Sequence, residues 1–112
     1  MTRLHHIALG ADDVESVAAF YRTVFDLEEL TRHHVEGTDE LRSVWLALGD
    51  EAVLMIEHTT APPRDVSGVG RGPFLMALKV GSEERLQVEE KLEDAGSPIE
   101  APTEYTSYAR DP

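Results

Sequence analysis

LHHIALGADDVESVAAFYRTVF, residues 4–25, is the stretch on which the fold turns. Residues 3–10 read as a strand, and alternation divides it into two faces: Leu4, His6 and Ala8 on one, His5, Ile7 and Leu9 on the other. Asp12 then reads as a helix cap, with Glu15 three residues on completing a capping box. Val14, Val17, Ala18, Tyr21, Val24 and Phe25 follow the spacing of a one-sided helix. Laid over the Ile7/Leu9 face, that helix leaves His6 on the open side and turns His5 toward the helix.

Three shorter strands are expected outward from here, at about 28–36, 42–48 and 51–58, with Gly49-Asp50 turning the last two into a hairpin. On EAVLMIEH, Leu54 and Ile56 form the natural helix-facing pair, so Val53, Met55 and Glu57 share the open face with His6. Trp45 and Leu46 straddle the third strand, so one of the two faces the same side. TTAPPRDVSGVGRGP, residues 59–73, is rich in proline and glycine and reads as a linker.

The plan then restarts. PFLMALKV reads as a strand, Ser82-Glu83-Glu84 opens a helix that stops at Ala95-Gly96, and strands follow near Ile99 and in EYTSYAR. Sliding the chain by 69 residues lays His6-Ile7-Ala8-Leu9 over Leu75-Met76-Ala77-Leu78. The expected fold class is α+β: two βαβββ modules, about 1–58 and 74–112, forming a single domain over 1–112. The second module reaches Asp111-Pro112 without its last strand.

Composition narrows the function. A chain of 112 residues fits one domain. The absence of cysteine excludes disulfides, thiolate metal sites and cysteine nucleophiles. A net charge of −12 opposes a phosphate backbone, so no nucleic-acid partner is expected. No apolar run is long enough for a membrane span and no signal pattern opens the chain, so a cytoplasmic protein is expected. Lys79 and Lys91 are the only lysines.

Residues 4–25, with the Asp12/Asp13 cap and the Phe20-Tyr21 pair, resemble the opening strand and helix of the vicinal-oxygen-chelate superfamily, the glyoxalase, bleomycin-resistance and dioxygenase group. VLMIE resembles its fourth strand, GPFLMALKV its fifth, and YARDP the approach to a later turn. The resemblance implies sheets curled around a shared cleft, where metal-dependent members hold a divalent ion with one residue from each of four strands. By position the first ligand is His6 and the second Glu57; the third falls on Leu75, which has no donor, and the fourth lies past the residues of this chain.

Two readings follow from the resemblance. In one, a divalent ion (Zn, Ni, Fe or Mn) polarises adjacent substrate oxygens for a lyase or isomerase, with Glu57 as ligand and base. Gly10 stands where glutathione-binding members tend to place an arginine, and Leu75 where a dioxygenase needs histidine. In the other, the cleft binds or sequesters a drug or metabolite without metal, and His6 and Glu57 form a hydrogen-bonded pair in its wall. Ala8, Trp45, Met55, Leu75, Tyr108 and Arg110 are the expected pocket residues. His33, His34 and His58 read as solvated, and the acidic run Glu83, Glu84, Glu89, Glu90 and Glu93 as the wet face of the second helix. An open sheet edge and the habit of the superfamily point to a homodimer, the alternative being a natural chain that continues past Pro112.

Overall fold

The computed structural model describes residues 1–65 and 67–112; Val66, inside the expected linker, lies outside the described residues. The order is β1 (His6–Ala11), α1 (Val14–Phe25), β2 (Glu29–His34), β3 (Leu41–Gly49), β4 (Ala52–His58) and α2 (Arg85–Asp94). One mixed sheet runs β1-β4-β3-β2, with β1 parallel to β4 and the other pairs antiparallel. The fold is α+β, as the alternation and helical spacing predict.

The sheet has a dry side and an open side. Val44, Leu46, Leu54 and Ile56 are fully buried under α1, which contributes Val14, Val17, Ala18, Phe20, Tyr21 and Val24. Parity alone puts β3 and β4 residues there, since side chains alternate across a strand. The helix packs over β3 and β4 rather than over β1. Ile7 and Leu9 face the same side but reach the core only at its margin, half-buried. Gly49, at φ 82°, followed by Asp50 and Glu51 at φ 46° and 66°, closes the β3–β4 hairpin in a left-handed turn.

The helix cap differs from the expected one by one residue. Asp13, not Asp12, is the N-cap, and its carboxylate accepts from the Ser16 backbone N–H at 3.0 Å and from Ser16 Oγ at 2.7 Å. Two adjacent aspartates carry equal capping chemistry, so residue type alone does not choose between them. Glu15 turns outward into a four-membered ion cluster: Arg22 bridges Glu15 and Glu29, and Arg32 grips Glu29 at 2.6 Å and reaches Glu15 at 3.2 Å. The cluster ties α1 to β2.

These contacts set the acid sensitivity. The Ser16 hydrogen bonds hold the Asp13 carboxyl below the usual carboxylate range, and the Arg32 hydrogen bond does the same for Glu29. A depressed folded-state value contributes stability above the ordinary carboxylate pKa, lost as pH falls through the folded value. Replacing Asp13 with alanine is therefore expected to lower Tm near neutrality. The deficit should shrink as pH drops through about 4 and below, once the wild-type carboxyl is protonated too. Thermal melts of both proteins across that range check it; a pH-independent deficit would contradict the cap.

The second module is less regular. Residues 73–80 join no ladder, although Met76, Leu78 and Val80 are half-buried while Leu75, Ala77 and Lys79 are exposed, the alternation of a strand without a neighbour. Helix α2 starts at Arg85, three residues later than its Ser82 expectation, and ends before Gly96 at φ 79°. It is held to the core chiefly by Leu92, with Val88 at the edge. A narrow hairpin follows, in which Glu100 and Tyr108 exchange both backbone hydrogen bonds. Tyr21, buried under this end, donates its hydroxyl to Asp111 at 2.6 Å, and burial with that partner pushes its phenol well up. Among the described residues, no helix is long and apolar enough to cross a membrane.

Candidate functional site

The open face of the sheet is built from three rows of side chains. The middle row, from edge to edge, is Thr31, Trp45, Met55 and Ala8. On one side of it lie Ala47, Val53 and His6; on the other lie His33, Ser43, Glu57 and Gly10. Each strand contributes every second residue, so the face is as regular as the core on its reverse.

His6 and Glu57 share this face, as alternation predicts, but the register does not bring them together. His6 is level with Val53, and Glu57 is level with Gly10. Four positions along parallel strands amount to about 13 Å. Metal bonds are about 2.1 Å, and side chains standing side by side from positions that far apart do not meet on one ion. The expected His6–Glu57 hydrogen bond is absent among the described residues for the same reason. His6 instead meets His5: their Nδ1 atoms lie 2.9 Å apart, with the rings edge to face. His5 precedes the strand and is exposed, not packed against α1. No group of three or more metal-donor residues converges among the described residues. The described donors of one chain do not converge on a common position for a divalent ion.

The expected pocket residues separate into two groups. Ala8, Trp45 and Met55 stand abreast in the middle row. Tyr108 is bridged to Glu100 in the C-terminal hairpin, and Arg110 donates to the Glu100 carboxylate at 3.1 Å. Leu75 is 55% exposed on the unpaired segment. A hollow of about 1470 Å³ opens beside Ile7, Phe25, Leu48 and Met76, and none of the expected pocket residues lines it.

A polar row not expected from the sequence emerges instead. His33, read as solvated, is half-buried, and its Nδ1 lies 3.1 Å from Ser43 Oγ. Ser43 is buried to 2% exposure, so the imidazole satisfies a hydroxyl that would otherwise lack a partner. The same imidazole packs edge-on against Trp45, with ring centres 5.1 Å apart. Trp45 Nε1 is the one buried side-chain polar atom without a hydrogen-bond partner among the described residues. Glu57, level with Ser43, makes no ion pair or hydrogen bond among the described residues. Next to it, Gly10 is constrained: a Cβ there would sit 3.0 Å from the Thr59 methyl. The signal for this row was countable. Outward from the Gly49 turn, antiparallel pairing sets Trp45 against Met55 and Ser43 against Glu57.

Comparison with known proteins places the chain. The model of the Glyoxalase/Bleomycin resistance protein/Dioxygenase superfamily matches residues 3–111. The chain belongs to this superfamily. Among solved structures, it is similar to a variant of the fosfomycin resistance protein FosX from Listeria monocytogenes, solved with Mn(II) and 1S,2S-dihydroxypropylphosphonic acid. The TM-score is 0.76 and the identity 18%, over 99% of this chain and 85% of that one. FosX from Mesorhizobium loti gives 0.75 and 15%, over 99% and 84%. A lactoylglutathione lyase from Agrobacterium tumefaciens gives 0.60 and 23%, over 100% and 87%. No curated protein matches in sequence. At these identities, the neighbours establish the superfamily fold and leave the reaction to the site itself.

Proposed function

We propose that this superfamily member binds a small molecule on the open sheet face, as a binding or sequestration protein that needs no metal of its own. One observation carries the reading: Glu57 is level with Gly10, about 13 Å along the strands from the level of His6. What stands between them is a row of Trp45, Met55 and Ala8, an aromatic and apolar floor with polar groups at both ends. That composition suits an organic ligand, whose body lies on apolar surface while a few polar groups orient it. A cytoplasmic location belongs to the same proposal.

A second reading is favoured by the Mn(II) held by a FosX neighbour. In it, the chain is a metal-dependent lyase or isomerase, with His6 as a ligand beside donors outside this chain, brought by a second copy docked on the free edge of β1. In a homodimer that edge would be covered.

Metal analysis of the purified protein separates the two, followed by calorimetric titration with Ni(II), Zn(II) and Mn(II) and a solution mass. The metal-free reading expects no saturable, stoichiometric site. One ion per chain in a dimer, lost on His6→Ala, would sink it and establish the second reading.

A further inference from the structure

We propose that Glu57 and Trp45 form a recognition point for a protonated amine, carried on an apolar body that lies along Met55 and Ala8. The inference rests on small-molecule binding at the open face and adds the chemical class of the ligand. Three observations carry it. Glu57 is a half-buried carboxylate without an ion pair or hydrogen bond among the described residues, while the neighbouring Ser43 hydroxyl meets His33 at 3.1 Å. Trp45 is the diagonal neighbour of Glu57, since it pairs with Met55 one row along. Diagonal pairs on a sheet face lie about 7–8 Å apart, within reach of a large aromatic side chain. The His33 ring against Trp45 then fixes the indole in place.

A carboxylate beside an indole is complementary to an ammonium group on two counts. The anion attracts it directly, and the electron-rich ring face attracts it through the quadrupole. A partly buried acid without a partner carries a desolvation cost that a cation offsets. An anion would meet Glu57 head-on, and a neutral hydroxyl would gain only a hydrogen bond. The net charge of −12 acts in the same direction, raising the local concentration of cations.

The test uses the single tryptophan of the chain, whose indole N–H gives one NMR cross-peak in the middle of the proposed site. Three probes share a phenyl body: 2-phenylethylamine, 2-phenylethanol and 3-phenylpropionate. The amine is expected to shift the indole cross-peak saturably and to bind about tenfold more tightly than the alcohol, with the acid weakest. In Glu57→Gln, the amine should fall to within about twofold of the alcohol measured on the same variant. Equal binding of amine and alcohol to the wild type, or a preference that survives Glu57→Gln, overturns the amine assignment while leaving the face as a binding surface. If none of the three moves the indole, binding at this face falls with it.

Discussion

Replacing Leu54 with alanine is expected to lower the unfolding free energy by about 2–5 kcal/mol. Leu54 is 0% exposed and stands between Leu46 on β3 and Ile7 on β1, under α1. Removing its branched end deletes apolar transfer energy and leaves a cavity that the surrounding strands cannot close, because three backbones fix their spacing. For a domain whose total stability is typically about 5–15 kcal/mol, that is a large fraction. Urea unfolding measures it as a drop in midpoint at unchanged slope. Leu54→Met, which conserves volume, should cost less than about 1.5 kcal/mol. Met55→Ala, one residue along and on the open face, should cost less than Leu54→Ala. If Met55→Ala is as damaging, the assignment of dry and open faces is wrong.

The second large effect is expected at Arg85. Its guanidinium donates to the carbonyls of Thr103, Glu104 and Thr106 and to Ser107 Oγ, while Nε bonds Glu89 at 2.9 Å. Ser107 returns a 2.6 Å hydrogen bond to the same Glu89 carboxylate, which these donors, Ser107 foremost, hold below the usual carboxylate range. The hairpin between Glu100 and Tyr108 has only one bridged pair of its own, so this side chain acts as its template. Hydrogen bonds to a charged group are worth about 1.5–3 kcal/mol, and partial exposure reduces the sum. Arg85→Ala should therefore destabilise the hairpin by about 2 kcal/mol, about thirtyfold in its local opening. Hydrogen exchange should show that loss at residues 100–108 while β3 and β4 keep their protection. Lysine cannot reproduce the planar fork and should behave nearly like alanine. Uniform loss of protection across the sheet would mean that Arg85 supports the whole domain instead.

The candidate site was legible where the pattern is local. Period two placed His6 and Ala8 opposite Ile7 and Leu9, and separated Met55 and Glu57 from Leu54 and Ile56. The β3–β4 register follows from the hairpin turn at Gly49, so the adjacency of Ser43 and Glu57 was available by counting. His33 was hidden because β2 carries two register irregularities, one between Glu29 and Thr31 and one between His33 and His34. A histidine one step along such a strand changes face, and polarity alone reads it as solvated.

By itself, the order of residues determined the class, the helix, the hairpin and the side of the sheet on which each strand residue stands. Each depends on periodicity within a segment or on a turn of a few residues. Only the tertiary structure decided how far β1 slides along β4, because those parallel strands are joined through a helix and two further strands, and no turn sets their register. That slide placed His6 beside Val53 and left Glu57 at the level of Gly10. His6 and Glu57 therefore share a face of the sheet but stand at different levels of it. In that register Ile7 stands beside Leu54 and Leu9 beside Ile56, at the margin of the core.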